Sequence, residues 1–332
     1  MFEQPEKFQH RIFELTNESA FNTIALEIFK FQHENNFVYR SYVQLLKKNI
    51  NTITHYTQIP FLPIELFKTQ EVISFQKQKS TLFFQSSGTG NTGLSTHYIK
   101  DVHLYHTSLL KSFELFYGNP KDYLFVFLLP EDSERPYSSL ISMAQYLLSL
   151  SSEKESRFYL HKMNDAQTLI NKYKGTEKKI FILGITYAIM DFAETNIELN
   201  NNTILMETGG MKGKRQELSK QELHQYLTTK FKIQNIHSEY GMTELLSQAY
   251  SKKDGIFNTP PWMKILIRDV DDPLAIHVKN KQGLINIIDL ANIYTCSFIA
   301  TQDVGKLYNN GSFEILGRSD FSDTRGCNLM YQ

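Results

Sequence analysis

A loop rich in hydroxyl groups and glycine is the most informative segment of this 332-residue chain. Residues 84–96 read Phe-Gln-Ser-Ser-Gly-Thr-Gly-Asn-Thr-Gly-Leu-Ser-Thr and follow an apolar run that begins at Thr81. Glycines let a backbone turn sharply and approach a ligand closely, and exposed N–H groups beside Ser and Thr hydroxyls form a cradle for phosphate oxygens. The same composition is typical of a flexible surface turn, so the loop alone leaves both interpretations open.

The glycines of this loop match one known nucleotide-binding pattern only formally. Gly88, Gly90 and Gly93 have the G-x-G-x-x-G spacing of a dinucleotide fingerprint, which requires a helix directly after the loop. Residues 94–99 instead look extended, and the next helical pattern begins near Asp101. The loop also lacks the Gly-Lys-Ser/Thr ending of a Walker loop. A Rossmann site is therefore disfavoured, and a Walker site is excluded.

Two other segments carry polar side chains suited to nucleotide recognition. Residues 236–244 read Ile-His-Ser-Glu-Tyr-Gly-Met-Thr-Glu, which predicts a strand ending in a tight turn, where α/β sheets place their ligands. Farther along, Asp303 has the acceptor atoms to bind two vicinal hydroxyls, and Arg318 can bind a phosphate or ribose oxygen. Each segment by itself is also ordinary turn composition, so neither decides between a binding site and a plain turn.

Composition argues against several classes of function. Lys plus Arg and Asp plus Glu each number 35, so the formal net charge is zero and a nucleic-acid partner is not expected. The two cysteines, Cys296 and Cys327, fit neither a zinc ribbon nor a CxxC pair and predict a reduced, cytoplasmic protein. Residues 1–10 are polar, and the most apolar run, residues 123–130, is too short to cross a bilayer. We expect a soluble cytoplasmic protein without a membrane span.

Hydrophobic periodicity predicts the elements that must position these segments. Residues 1–50 have helical spacing, and from residue 81 strand patterns alternate with helical patterns. The predicted strands are residues 81–85, 95–99, 123–129, 156–160, 179–183, 203–207 and 233–237. The predicted helices are residues 101–117, 137–150, 164–174, 186–195 and 219–230. Such alternation predicts an α/β fold with a largely parallel sheet flanked by helices, and fading helical periodicity after residue 245 predicts a small antiparallel or barrel-like part.

The same patterns predict three regions within the chain. Residues 1–80 would form an N-terminal helical region packed on the main domain, and residues 81–245 an α/β nucleotide-binding core. Residues 246–332 would form a small β-rich subdomain with a C-terminal tail. The length is compatible with about two domains, or with one large α/β domain and an appendage.

The order of the motifs is more specific than any one of them. A Ser-Ser-Gly-Thr loop is followed by Tyr-Gly-Met-Thr-Glu, then by Asp-x-Gly, and then by Gly-Arg-x-Asp. Over residues 80–325 this order and spacing resemble the adenylate-forming superfamily, which includes acyl-CoA synthetases, peptide-synthetase adenylation domains and luciferases. The resemblance implies the fold of the large N-terminal domain of those enzymes and the use of ATP and Mg²⁺.

The resemblance also implies roles for individual residues. In the superfamily the loop holds the ATP phosphates, and the Thr and Glu of the second motif contact the α-phosphate and the magnesium ion. The implied catalytic residues here are Thr243 and Glu244, and Glu244 is also the implied metal ligand. Asp303 would hold the ribose hydroxyls, and Arg318 would face the nucleotide. The other implied nucleotide-binding residues are Ser86, Ser87, Gly88, Thr89, Gly90, Gly93, Gly209, Gly210, Tyr240 and Gly241.

Two departures from the superfamily pattern bear on function. Leu94 and Ser95 stand where the loop usually has a lysine, and Lys100 and Lys212 are the candidate substitutes for that charge. The sequence also ends soon after Asp320, which matches the hinge before the superfamily's mobile C-terminal domain and its catalytic lysine. We therefore expect this chain to work without that lysine.

A short branch of the superfamily, the acyl-protein synthetases of bacterial bioluminescence (LuxE-type), resembles this arrangement. In that branch a cysteine near the C-terminus accepts the acyl group, and Cys327 stands at that place. In an extended tail Arg325 would lie on the same side as Cys327 and would favour its thiolate. A small, half-buried cysteine in a terminal strand is the alternative interpretation. Cys296 lies in an apolar run and is interpreted as structural.

These observations predict a ligase that uses ATP to activate a carboxylic acid, with a fatty acid favoured, and then transfers the acyl group to a thiol. The acid is expected near the carboxyl edge of the sheet, with residues 183–187 as a wall in which Gly184 leaves room. The expected acceptor or partner is a reductase subunit, an acyl carrier protein or CoA. Three alternatives remain open: direct transfer to CoA or a carrier, an acyltransferase that uses preformed thioesters, and a non-catalytic scaffold subunit.

Overall fold

The computed structural model describes residues 5–80, 82–86, 93–209, 218–276 and 280–319. Its helices are α1 (Glu6–Ile12), α2 (Glu18–Asn35), α3 (Phe37–Leu45), α4 (Leu66–Thr69), α5 (Val102–Tyr117), α6 (Ser139–Leu150), α7 (Met163–Lys172), α8 (Thr186–Ala193) and α9 (Lys220–Phe231). Its strands are β1 (Leu62–Pro63), β2 (Leu82–Gln85), β3 (Thr96–Ile99), β4 (Tyr123–Leu128), β5 (Arg157–Phe158), β6 (Lys179–Ile185), β7 (Thr203–Thr208), β8 (His237–Tyr240), β9 (Ala249–Ser251), β10 (Phe257–Asn258), β11 (Met263–Arg268), β12 (Gln282–Asp289), β13 (Phe298–Leu307) and β14 (Phe313–Arg318). Within these ranges, no helix combines the length and the apolar sequence needed to cross a membrane.

One mixed sheet joins most of the strands. Its strands lie in the order β11-β12-β13-β14-β10-β9-β8-β7-β6-β4-β5, and β1 pairs with β13. The pairs from β5 to β8 are parallel. The pairing of β8 with β9 is antiparallel, and so are the ladders that continue to β11. The parallel half and the antiparallel half of the sheet therefore meet between β8 and β9.

Helices cover both faces of the parallel half. The central strands β4 and β6 are buried along almost their whole length, as expected from their continuous apolar sequences. On one face, Phe113 of α5 packs against Phe125 and Phe181, with ring centroids 5.9 and 5.2 Å away. On the other face lie α8 and α9, whose Phe192 and Phe231 rings contact each other. This packing holds the carboxyl ends of β6, β7 and β8 along one edge.

The N-terminal helices pack against the antiparallel half. The buried Gln32 amide of α2 donates hydrogen bonds to the carbonyl oxygens of Asn292 and Ile293, over 2.8 and 2.9 Å. Phe29 of the same helix contacts the ring of Phe298, at the start of β13, with centroids 6.2 Å apart. Because a buried amide needs partners, these bonds fix α2 against the turn between β12 and β13.

The predicted α/β fold class is confirmed: a large sheet is flanked by helices, and its parallel half continues into antiparallel C-terminal strands. The predicted strands 81–85 and 95–99 correspond to β2 and β3, which pair with each other in a separate antiparallel sheet. One detail of the prediction is wrong: the strand predicted over 233–237 begins only at His237, because α9 ends in a left-handed residue, Lys232 (φ 56°), and a turn follows. The division of the chain into three regions stays a prediction.

Gly184 in β6 serves dense packing. A Cβ atom at this position would lie 2.7 Å from Cγ1 of Ile189 and 2.9 Å from Cβ of Leu128. Both neighbours are fully buried, so protein side chains fill the space in front of this glycine. The prediction that Gly184 leaves room for a substrate is therefore wrong.

We expect Gly184→Ala to lower the free energy of unfolding by about 1–3 kcal/mol, because the added methyl group overpacks a buried contact. Urea unfolding measures the change. Glu177→Ala, in the exposed turn before β6, is the control and should shift the free energy by less than about 0.5 kcal/mol. An unchanged value for Gly184→Ala would mean that the core has spare volume here.

Candidate active site

The end of β8 and the antiparallel strands β13 and β14 come together around one hydrogen bond. The Tyr240 hydroxyl, at the end of β8, donates to Oδ2 of Asp303 in β13 over 2.6 Å. Asp303 lies directly opposite Arg318 of β14 in the antiparallel register. Three segments that are far apart in the sequence therefore share one place in the fold.

The buried part of this site carries the acidic Asp303, and its exposed part carries the basic Arg318. Burial raises the pKa of Asp303, while the Tyr240 hydrogen bond and the Arg318 charge act in the opposite direction. Arg318 is exposed, and its guanidinium donates to Oε1 of Gln302 over 3.2 Å. A buried acceptor beside an exposed cation suits a ligand that has hydroxyl groups near an anionic group.

Glu244 connects Ser95, at the end of the glycine-rich loop, to the site formed by Asp303 and Arg318. Its side chain is only 5% exposed, and burial raises the pKa of its carboxyl group. A hydrogen bond with the Ser95 side chain and the charge of Arg318 lower this pKa, whereas the charge of Asp303 raises it. The carboxyl group of Glu244 thus lies within electrostatic range of both residues on β13 and β14.

Ser86 and Ser95 hold the two ends of the loop together. The Ser86 N–H donates to the Ser95 carbonyl oxygen over 3.1 Å, and the Ser95 N–H donates to Oγ of Ser86 over 3.0 Å. Gly93 has a φ of 83°, a conformation that favours glycine. The other predicted loop residues lie outside the described residues: Ser87, Gly88, Thr89 and Gly90.

Two buried side chains that the motifs do not include hold the segment between β8 and β9. Asp289, at the end of β12, accepts hydrogen bonds from the N–H groups of Leu246 and Ser247, each over 2.9 Å. Asn292 donates from Nδ2 to the Glu244 carbonyl oxygen over 2.7 Å. Sequence reasoning missed both residues, although an acid followed three residues later by an amide, inside an apolar stretch, is a visible signal.

The Ser247 hydroxyl extends this network into the core. It donates to Oδ1 of Asp289 over 2.7 Å, and it lies 2.9 Å from the hydroxyl of Ser108 on α5. The indole N–H of Trp262 donates to Ser247 over 3.0 Å and to Ser108 over 3.1 Å. The segment that carries Glu244 is thereby connected to α5 and to the antiparallel strands at once.

His97 connects the loop hairpin to the same segment, and sequence reasoning missed it as well. Its Nδ1 lies 2.8 Å from the Thr243 carbonyl oxygen, and its Nε2 lies 3.0 Å from the Thr295 hydroxyl. A carbonyl oxygen only accepts, so Nδ1 carries the proton and Nε2 accepts from Thr295. Burial lowers the pKa of His97 to about 4, which keeps the ring neutral at physiological pH.

A buried ion pair lies at the end of β7, just before the predicted residues Gly209 and Gly210. Glu207 is fully buried and pairs with Lys220 at the start of α9. Burial alone would raise the pKa of Glu207, but the Lys220 charge and bonds with His224 and Lys220 hold this pKa at about 2. The Thr186 hydroxyl donates to the Gly209 carbonyl oxygen over 2.7 Å. Gly209 has a φ of 73°; its neighbour in the prediction, Gly210, lies outside the described residues.

The remaining residues singled out in the sequence make other contacts or lie outside the described residues. Lys100 packs its ammonium 4.2 Å from the centre of the Tyr294 ring and 3.7 Å from Glu6, and its role as a substitute for the loop lysine stays a prediction. Cys296 is buried, donates its thiol to a backbone carbonyl, and has a pKa that burial raises to about 12, as expected of a structural cysteine. Lys212, Asp320, Arg325 and Cys327 lie outside the described residues.

Comparisons with known proteins show the fold. No family model matches the sequence, and no curated protein sequence matches it. ATP-bound MatB from Rhodopseudomonas palustris has a TM-score of 0.54 at 14% identity, and the match covers 74% of this chain and 49% of that chain. O-succinylbenzoate coenzyme A synthetase (MenE) from Bacillus subtilis, in complex with AMP, has a TM-score of 0.52 at 18% identity over 75% of this chain and 51% of that chain.

A third structure matches more of the chain. It is an open conformation of 2-hydroxyisobutyryl-CoA ligase in complex with 2-HIB-AMP and CoA, with a TM-score of 0.62 at 10% identity over 92% of this chain and 70% of that chain. The fold is that of the N-terminal domain of adenylate-forming enzymes. The chain spans about half the length of MatB and MenE, and at these identities the similarity concerns the fold alone.

The buried His97 predicts a pH-dependent stability. The unfolded chain protonates this ring near pH 6.5, whereas the folded protein does so only near pH 4. The stability that neutral His97 contributes is therefore complete above pH 6.5 and falls by about 3 kcal/mol as the pH decreases towards 4. His97→Gln keeps a donor and an acceptor but cannot titrate, so its unfolding free energy should depend less on pH in this range.

Urea unfolding between pH 4 and pH 7 measures this difference. His237, whose pKa burial lowers to about 4, contributes to the slope with the same sign, and Glu239, whose pKa burial raises to about 7, contributes with the opposite sign, so the difference between the wild type and the variant isolates His97. His10→Gln, at an exposed position, is the control and should show the same pH profile as the wild type. Parallel profiles for the wild type and His97→Gln would contradict the assignment of the slope to His97.

Proposed function

We propose that this protein uses ATP to convert a carboxylic acid into an acyl-adenylate, with release of pyrophosphate. The observation that carries the proposal is the convergence of Tyr240, Asp303, Arg318 and Glu244, with Ser95 from the loop, beside the carboxyl edge of the sheet. In α/β sheets this edge is where ligands bind. The fold adds support, because it is shared with a MatB structure bound to ATP and a MenE structure in complex with ATP and magnesium ion.

The proposed nucleotide site assigns one part of ATP to each group. Asp303, held by the Tyr240 hydroxyl, accepts hydrogen bonds from the two ribose hydroxyls. Arg318, exposed on the opposite strand, faces a phosphate oxygen. The hydroxyl- and glycine-rich loop, whose ends Ser86 and Ser95 hold together, supplies N–H and hydroxyl donors to the phosphates. Following the resemblance, Gly209 and Gly210 are assigned to the adenine end of the nucleotide.

The residues present fit a magnesium ion that arrives with the nucleotide. The described residues contain no group of three or more His, Cys, Asp or Glu side chains able to hold a metal ion. Mg²⁺ commonly takes one or two carboxylates together with substrate phosphates, and the buried Glu244 offers one carboxylate beside Arg318 and Asp303. When bound, the ion neutralises phosphate charge.

In the proposed reaction the carboxylate of the acid attacks the α-phosphorus of ATP in line, the bond to the β-phosphate oxygen breaks, and pyrophosphate leaves. Positioning and charge neutralisation provide most of the catalysis in phosphoryl transfer. Thr243 and Glu244 stand next to the α-phosphate, and the His97 and Asn292 hydrogen bonds hold the two carbonyl groups of this turn in place.

The second half of the proposal concerns the acyl acceptor, and it follows the resemblance to the LuxE-type branch. The thiolate of Cys327 attacks the carbonyl carbon of the adenylate, a thioester forms, and AMP leaves. A reductase subunit, an acyl carrier protein or CoA then takes the acyl group from this thioester. The proposed location of the reaction is the cytoplasm, and a fatty acid is the first substrate to test. Direct transfer to CoA is the second candidate, favoured by the presence of CoA in the 2-hydroxyisobutyryl-CoA ligase structure.

Exchange of radioactive pyrophosphate into ATP, measured with a panel of carboxylic acids, tests the adenylation step. We expect acid-dependent exchange by the wild type and a loss of about 100-fold in kcat for Glu244→Gln, because the neutral amide does not replace a carboxylate near the reacting phosphate. Glu177→Gln, on the surface, is the matched control and should exchange normally. Absence of exchange with every acid, from folded wild-type protein, would overturn the proposal.

Labelling with radioactive acid and ATP tests the acceptor. We expect a protein-bound label that hydroxylamine removes, and we expect Cys327→Ala to abolish it, because a thioester needs the thiol. Cys296→Ala is the control and should keep the label, since that thiol is buried and its pKa is raised to about 12. A label that persists in Cys327→Ala would contradict the assignment, and exchange without any label would favour direct transfer to CoA or a carrier.

A further inference from the structure

Glu239 and Thr208 form a polar pair at the carboxyl edge of the sheet that the reaction described above does not use. The two residues are directly opposed at the ends of the neighbouring parallel strands β8 and β7. The Thr208 hydroxyl donates to Oε2 of Glu239. Within the described residues, this is the hydrogen bond that the Glu239 carboxylate accepts, so its second oxygen retains acceptor capacity.

The second oxygen, Oε1, lies against Gly241. A Cβ atom built at residue 241 would overlap Oε1, so the absence of a side chain there provides the space that the carboxylate fills. The carboxylate of Glu239 is thus packed against the backbone of the turn that follows β8.

Glu239 is half-buried among aromatic rings. Burial raises the pKa of its carboxyl group to about 7, against the effect of the Thr208 bond. The titratable groups that interact with it are Tyr105, Tyr117, Tyr250, Glu207 and Lys220. The one cation among them, Lys220, pairs with Glu207. A partly desolvated carboxyl group without a cation of its own gains most from a ligand that donates a hydrogen bond to it.

We propose that Glu239, oriented by Thr208, binds a hydrogen-bond donor carried by the acid, so that the substrate is a carboxylic acid with a hydroxyl or amino substituent. This inference rests on the proposed adenylation. It refines the substrate from carboxylic acids in general to those with a donor group within reach of the sheet edge.

The alternation of side chains along β8 assigns the donor to the acid and not to the nucleotide. Successive side chains of a strand point to opposite faces, so Glu239 and Tyr240 face opposite sides of the sheet. Tyr240 bonds to Asp303 on the side proposed for the ribose. Glu239 lies on the side of α5, where Tyr105 and Tyr117 contribute their rings. The two ligands then meet at the edge beside Thr243 and Glu244.

Pyrophosphate exchange with matched pairs of acids tests the inference. Each pair has the same chain length and differs only by one hydroxyl or amino group at the second, third or fourth carbon. For at least one position we expect the substituted acid to have a kcat/KM at least about tenfold above its unsubstituted partner, because a site built around a hydrogen bond rejects the analogue that lacks it.

Two variants connect that preference to the polar pair. Glu239→Gln keeps the size and can still accept from Thr208, but its amide presents N–H groups, so the preference should fall by about tenfold or more. Thr208→Val removes the hydroxyl that orients the carboxylate and should reduce the preference as well. Isothermal titration should give the same ATP affinity, within about twofold, for the wild type and both variants, since neither residue is proposed to contact the nucleotide.

The outcomes separate this inference from the function on which it rests. Exchange that is equal for both members of every pair, or a preference that Glu239→Gln leaves intact, overturns the inference while adenylation stands. Weakened ATP binding in Glu239→Gln, with an unchanged preference among acids, means that the donor is the exocyclic amine of the base and also overturns it. Absence of exchange with every acid overturns both.

Discussion

Buried backbone outside helices and strands must find hydrogen-bond partners elsewhere, and the arrangement of the site depends on how residues 241–248 meet this constraint. Three side chains from distant parts of the chain provide the partners: Asp289 accepts from two N–H groups, while Asn292 and His97 donate to two carbonyl oxygens. Leaving a buried group unpaired costs about 1–3 kcal/mol. The turn therefore has one favourable conformation, and the positions of Glu244 and Thr243 follow from it.

The acidic residues near the edge of the sheet differ in what their surroundings supply. Glu207 has a lysine and a histidine beside it, and these hold its pKa at about 2. The charge of Arg318 lowers the pKa of Glu244 and Asp303, and the charge of Lys220 lowers that of Glu239, but burial has the larger effect and raises the pKa of each. The charge of Glu207 is thus compensated within the protein, and this residue has a structural role. A cation or hydrogen-bond donor from a ligand would instead stabilise the carboxylates of Glu239, Glu244 and Asp303. Perturbed carboxyl groups of this second kind are typical of functional sites.

Much of the fold follows from local sequence. The apolar runs of β4 and β6, the Asp101 side chain that caps α5 and the capping box of Ser219 at α9 are all visible in the sequence and are all present in the structure. The start of β8 was not predictable, because it depends on a left-handed residue, Lys232, that no local pattern marks. His97 and Asp289 were missed for a related reason: their roles consist of hydrogen bonds to residues more than forty positions away, which only the fold creates. The motif residues at the site were predictable through the resemblance, and their ligand contacts remain predictions.

The position of Trp262 makes the intrinsic fluorescence of the protein sensitive to the segment between β8 and β9. It is the single tryptophan of the chain, and its indole N–H bonds to the Ser247 hydroxyl, which in turn donates to Asp289. Any rearrangement of the segment between β8 and β9 therefore alters the polarity and hydrogen bonding of the one indole that dominates the intrinsic fluorescence. The emission of the unlabelled protein reports on this segment directly, without a reporter group that would itself perturb the packing.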